Sequence, residues 1–150
     1  MNIDSRNAVF EDCAFLAERL RPEDSIEATA QCGSPLKALE HSFNSSEFKI
    51  TLLINDKPVA MFGLAVPVIL GNVANIWLLG TPELAKIKKT FMVMSRIVVK
   101  RYLKMYPVLW AQVDARYTKT HKWLKWLGAE KISTYNLHGV KFNDFIIRRA

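Results

Sequence analysis

Ile87-Lys88-Lys89-Thr90-Phe91-Met92-Val93-Met94-Ser95-Arg96-Ile97-Val98-Val99-Lys100-Arg101-Tyr102-Leu103-Lys104-Met105 decides how this chain is built. Ile87, Phe91, Met94, Val98, Tyr102 and Met105 recur at spacings of three and four, with Arg96, Lys100 and Lys104 on the other side. That period is helical and predicts one long amphipathic helix ended by Pro107. On either side the period changes: Gly71 to Leu79 and Val108 to Val113 are short apolar runs of strand character. Strand, long helix, strand in this order predicts a right-handed crossover between parallel neighbours.

Working outward, Phe48 to Ile54 and Lys57 to Ala65 are strand candidates around Asn55-Asp56, whose turn chemistry makes them an antiparallel pair. Gly71 to Leu79 then adds as another antiparallel neighbour. Three helices are expected upstream. Asn7 to Leu20 carries Ala8, Phe15, Leu16 and Leu20 on one stripe. Arg21-Pro22-Glu23-Asp24 opens a short helix that ends at Gly33. Ser34-Pro35 opens a third, turning Leu36, Leu39 and Phe43 inward. Thr81-Pro82-Glu83 suits a helix cap or a turn. Downstream, Tyr117 to Leu127 predicts a helix with Thr120, Trp123, Leu124 and Leu127 on one face and Gly128 as terminator. Ala129 to Asn136 and Phe142 to Arg149 close the sheet. The expectation is a single α/β (α+β) domain over 1–150, with a helical part (1–45) and a mixed sheet with crossover helices (46–150).

At 150 residues the chain has the size of one domain. Half the residues are hydrophobic and 23% charged, which excludes disorder and collagen-like sequence. Cys13 and Cys32 are too few for a disulfide framework, and without a Cys-His signature both are expected in packing roles. The longest apolar run, Val59 to Leu70, is too short to span a bilayer. The acidic and basic start has no apolar h-region for secretion. The expectation is a protein of a reducing, cytoplasmic compartment. His41 and His138 have no partners at ligand spacing, so no metal site is expected.

The net charge of +7 is unevenly placed. Residues 1–85 hold six Lys/Arg against eleven Asp/Glu, a balance of −5, whereas residues 86–131 hold twelve against two, or +10. Such a stretch suits a polyanion (nucleic acid, a phosphorylated cofactor or an acidic protein) or a plain solvated helix face.

The element order from Phe48 onward resembles the GNAT superfamily of N-acetyltransferases. So does Val113-Asp114-Ala115-Arg116-Tyr117-Thr118-Lys119-Thr120-His121-Lys122-Trp123-Leu124-Lys125-Trp126-Leu127-Gly128-Ala129. Trp-Leu-Lys-Trp-Leu-Gly-Ala, with Ile76-Trp77-Leu78-Leu79 and Tyr106-Pro107-Val108-Leu109-Trp110, is similar to the GNAT-like proteins of tailed phages, of the internal virion protein A type. The resemblance implies a mixed, mostly antiparallel sheet with one parallel pair whose strands splay, and acetyl-CoA lying in that gap. It implies host cytoplasm, with virion association during assembly, for a phage protein. The family's Arg/Gln-x-x-Gly-x-Gly/Ala phosphate loop aligns with Ala85-Lys86-Ile87-Lys88-Lys89-Thr90, where the glycines are replaced. The general-acid Tyr position is Leu124, and the Asn that often opens this helix is Tyr117.

The resemblance implies cofactor binding at Leu78, Leu79, Lys86, Lys88, Lys89, Thr90 and Tyr117. The phosphates would be held by lysines and a helix N-terminus, and the thioester carbonyl by strand N–H groups. Asp114, leaving the strand after the crossover, is the candidate base, against a turn-capping role. His121 stands among Lys119, Lys122 and Lys125 and is expected on a solvated face. Trp126, out of phase with the helix stripe, is either half-buried or an exposed anchor; with Lys119, Lys122 and Lys125 it is the candidate partner-binding group. Three functions follow: an acyl-CoA-dependent N-acyltransferase, a catalytically silent GNAT-like protein binding an acidic virion or host partner, and, less favoured, a nucleic-acid binder.

Overall fold

The computed structural model describes residues 1–66 and 71–150; residues 67–70, the end of the apolar run Val59 to Leu70, lie outside the described residues. The chain starts with a strand that the sequence pattern does not predict, just ahead of the first expected helix. β1 (Ile3–Asn7) pairs antiparallel with β2 (Ser46–Ile54), and α1 covers only Glu11–Ala17 instead of Asn7 to Leu20. The cause is Asp12. Its buried carboxylate accepts from the Arg6 guanidinium (2.7 and 2.9 Å), the Val9 amide (3.0 Å) and the Thr51 hydroxyl (2.7 Å). These bonds hold β1 extended against β2, so the 1–45 part is not wholly helical.

α2 (Pro22–Cys32) and α3 (Pro35–Ser45) follow. Gly33 closes α2 at a φ of 94°, and the Ser34 hydroxyl caps α3 by accepting from the Lys37 amide. Leu39 turns inward as expected and Phe43 packs at the core edge, whereas Leu36 stays exposed. Asn55 and Asp56, with φ of 50° and 66°, form the hairpin turn from β2 to β3 (Lys57–Ala65). β4 (Val73–Gly80) is antiparallel to β3. A 3₁₀ helix, Pro82–Ile87, leads into α4 (Lys88–Met105), then β5 (Val108–Asp114), α5 (Thr118–Trp126), β6 (Glu130–Leu137) and β7 (Val140–Arg148).

The seven strands make one sheet in the order β1-β2-β3-β4-β5-β7-β6, parallel only between β4 and β5. α1 and α3 cover one face through Leu16, Leu39 and Cys13 against Met61, Trp77 and Leu79. Burial pushes the Cys13 thiol up to about 11, which suits its packing role. α4 and α5 cover the other face through Val99, Tyr102 and Leu124 against Leu109, Ala111, Val113 and Phe145. Of the expected stripe, Ile87, Phe91, Met94, Val98 and Tyr102 pack on the core, while the most buried line of α4 is turned part of the way round from it. Ser95, Val99 and Tyr102 are its buried residues and Met105 is exposed, because Trp123 of α5 docks beside α4, its Nε1–H donating to Ser95 Oγ at 3.1 Å and its ring 5.5 Å from that of Phe91. No helix among the described residues is long and apolar enough to cross a membrane.

Candidate functional site between the splayed strands

β4 and β5 pair with each other only over Val73–Asn75 and Val108–Trp110; beyond that β4 keeps β3 as far as Gly80 and β5 keeps β7 as far as Asp114. The sheet therefore opens at its centre, at the carboxyl ends of its one parallel pair. Alternation along each strand decides which amides face the opening. Thr81 N–H donates to Val59, so odd-numbered amides here turn to β3, and those of Leu78 and Gly80 turn to the gap. Ala115 N–H donates to Lys141, so the amides of Gln112 and Asp114 face the gap from β5. Of the two leucines expected at the cofactor, only Leu78 presents its amide to the opening; Leu79 presents its own to β3.

α2 bridges the mouth of this gap. Arg21 N–H donates to the Gly80 carbonyl (2.8 Å), and Gly80 N–H donates to Asp24 Oδ2 (2.8 Å). Four residues on from Glu27, Gln31 donates to Gln112 Oε1 (2.8 Å), and Gln112 in turn donates to the Tyr135 hydroxyl. Asp114 N–H points at Glu27 Oε2 at 3.4 Å. Strand-end donors that would otherwise be orphaned thus find carboxylates on one helix.

Three acids meet here with different partners. Asp24 is bound by Arg21 (2.8 Å); burial still holds its pKa above the ordinary value, against the opposing charge of Arg21. Asp114, 0% exposed, is gripped by Arg116 through Nε (3.0 Å), Nη2 (2.6 Å) and the backbone amide (3.0 Å). Burial pushes its pKa up, but the Arg116 bonds outweigh that and hold it below the ordinary value. These bonds tie Asp114 to the turn that follows β5, with Oδ1 accepting twice and Oδ2 once. Glu27 has no cation in contact among the described residues, and burial, with the charges of Asp24 and Asp114 adding, pushes its carboxyl up to about 8. Tyr117, just before α5, is raised by burial and by the charges of Asp114 and Glu27, so its hydroxyl stays protonated beside these acids.

Beside the edge strand β1, Met1, Ile3 and Ala85 to Thr90 line a cleft of about 310 Å³. It lies where the 3₁₀ helix enters α4, whose first amides have no intrahelical partner. Lys86 is paired with Glu83 at 2.6 Å; Lys88 and Lys89 carry no ion pair among the described residues.

No family model and no curated sequence matches the chain. Solved structures do. An N-acetyltransferase from Staphylococcus aureus Mu50 superposes with a TM-score of 0.73 at 14% identity over 99% of both chains. AAC(6')-Ib, in complex with ribostamycin and coenzyme A, gives 0.72 at 13% identity over 99% of this chain and 94% of that one. The ribosomal-protein-S18-alanine N-acetyltransferase from Escherichia coli gives 0.70 at 12% identity over 98% and 94%. The chain has the GNAT acetyltransferase fold.

Within the GNAT fold the residues present suit a coenzyme A thioester by charge more than by a glycine cradle. Lys88, Lys89 and the Thr90 amide stand at the α4 N-terminus, and the side chains at the two glycine positions, Lys88 and Thr90, are exposed. The Leu78 amide is the strand donor left facing the gap. Tyr117 lies at the start of α5, close enough to Glu27 to feel its charge. His121, expected on a solvated face, is instead half-buried: its ring bonds Tyr117 O and Asn143 Nδ2 and meets Phe145 edge-on. Lys119, Lys122 and Lys125 are exposed, as is Trp126, which lies under Arg96. Glu27 and Asp24 are the site residues the sequence reading missed; their only signal is the spacing Asp24, Glu27, Gln31, one polar stripe on a helix.

Proposed function

We propose that this chain is an acyl-CoA-dependent N-acyltransferase that transfers acetyl to an amine, with Glu27 as its base. The observation that carries this is Glu27 itself, an acid with no cation partner among the described residues at the mouth of the splayed strands, its carboxyl pushed up by burial to about 8. A base is most useful with a pKa near the working pH. Glu27 Oε2 takes the proton from the incoming ammonium, which frees the nitrogen lone pair. The Leu78 N–H is aimed at the place where a carbonyl oxygen would gather negative charge. Lys88, Lys89 and the α4 N-terminus hold phosphate. Asp24 and Arg116 fix the ends of β4 and β5 so that these groups keep their places. Acetyl-CoA, when bound, would supply the activated thioester, whose C–S bond breaks as the N–C bond forms; the departing thiolate would leave as the thiol with the proton that the new amide nitrogen sheds.

A second reading has its own observation. Asp24 occupies the Gly80 amide and the phosphate loop lacks its glycines, as suits a silent GNAT-like binding protein of the phage type. Calorimetry with coenzyme A separates the two. The transferase reading expects binding that Lys88→Glu with Lys89→Glu weakens at least tenfold, and amine acetylation that Glu27→Gln abolishes while coenzyme A still binds. No heat and no thermal shift at millimolar coenzyme A selects the silent reading.

A further inference from the structure

α4 and α5 lie side by side and carry nine Lys/Arg and no Asp/Glu: Lys88, Lys89, Arg96, Lys100, Arg101 and Lys104 on the first, Lys119, Lys122 and Lys125 on the second. None of these makes an ion pair among the described residues. The two helices meet on this side through Arg96, whose guanidinium sits 3.8 Å over the Trp126 ring. Beside it two apolar residues stand outermost on α4 among the lysines. Val93 is 62% exposed and Ile97, one turn on, 53%; Trp126 is 40% exposed. β-branched residues are only moderate helix formers, so nothing in the helix itself calls for them in water.

Coenzyme phosphates at the α4 N-terminus do not account for this face. At 1.5 Å per residue, Lys100 and Lys104 lie roughly 18 and 24 Å along the axis from Lys88. Nucleic acid would use the cations but leave the Val93 and Ile97 side chains uncovered. A second copy docking through this same face would set nine cations against nine and meet its own repulsion. We propose that the α4–α5 face docks an acidic protein segment, its apolar side chains on Val93, Ile97 and Trp126 and its carboxylates on Arg96, Lys100, Lys122 and Lys125. Aromatic and apolar anchors ringed by charge are how such interfaces divide affinity and steering.

The test is fluorescence anisotropy with three labelled probes of about 20 units: a Glu-rich peptide with Leu at i and i+4, poly-glutamate, and single-stranded DNA. The Glu/Leu peptide should bind at least tenfold tighter than poly-glutamate. Ile97→Ser and Trp126→Ala should each weaken it tenfold or more, with unchanged melting temperature and coenzyme A binding. The proposal is overturned if the two peptides bind alike, if DNA binds tighter and ignores Ile97→Ser, if no probe binds, or if sedimentation shows self-association through this face.

Discussion

Replacing Glu27 by glutamine tests the site without removing its shape, since the amide oxygen still accepts from the Asp114 amide. In the unfolded chain Glu27 titrates near its ordinary 4.5; in the folded chain it titrates at about 8. Between those values the folded protein holds a proton that the unfolded chain has released, so stability falls as pH rises through that window, and below pH 4.5 the penalty vanishes. At about 1.36 kcal/mol per pKa unit the full shift is worth roughly 5 kcal/mol. Glu27 keeps some contact with water, so on the order of 2–4 kcal/mol is expected. The Glu27→Gln variant has no such titration. From about pH 5 to about pH 9 the variant should therefore gain about 2–4 kcal/mol on the wild type, or roughly 4–16 °C in Tm for a chain of this length. Urea and thermal melts at pH 5, 7 and 9 measure it. A wild-type-to-variant difference that does not change with pH would refute the burial argument and with it the choice of base. In kinetics the same group should give kcat/KM an inflection near pH 8 that stays put for acceptor amines of different pKa.

Asp12→Ala should cost about 3 kcal/mol in urea unfolding, because it leaves the Thr51 hydroxyl and the Arg6 guanidinium without their partner. Burial pushes the Asp12 pKa up, but the bonds from Arg6, Thr51 and Val9 hold it below its ordinary 3.8. Its titration-linked stabilisation is therefore present above that value and lost as pH falls through the lower folded pKa, so the gap to wild type narrows in acid. Gly63→Ala should cost about 1–3 kcal/mol, since a Cβ there would sit 2.3 Å from the Phe48 carbonyl oxygen and 3.0 Å from the Trp77 ring. Differential scanning calorimetry should show a clear drop in Tm. Phe142→Ala, which empties a fully buried site under Tyr135, should cost about 3–5 kcal/mol by chemical denaturation.

What the sequence made legible is what local chemistry decides. The helix over α4 follows from its period, the β2–β3 hairpin from Asn55-Asp56, and the stop after α5 from Gly128, whose φ of 98° excludes most other residues. What it concealed depends on contacts between distant residues. β1 has no useful alternation in Ile3-Asp4-Ser5-Arg6-Asn7; it is extended because Asp12 and Thr51, 39 residues apart, share one carboxylate bond. The buried line of α4 is set by Trp123 reaching Ser95 from α5, 28 residues away. Leu36 stays outside because Ala38 and Leu39 are the inward pair on α3.

The site itself shows the same division more sharply. Asp24, Glu27 and Gln31 have the spacing of an ordinary solvated helix face, and nothing local distinguishes them from one. They become a site because α2 lies across two strand ends whose amides need acceptors, and the strands offer those amides only because their pairing stops at Asn75 and Trp110. The charge asymmetry then takes on a structural meaning that a single polyanionic partner does not supply. The acidic half contributes Asp24 and Glu27 at the gap, where the proposed transferase would receive its cationic amine. The basic half contributes the lysines at the α4 N-terminus, and a continuous positive face that extends well beyond any phosphate bound there.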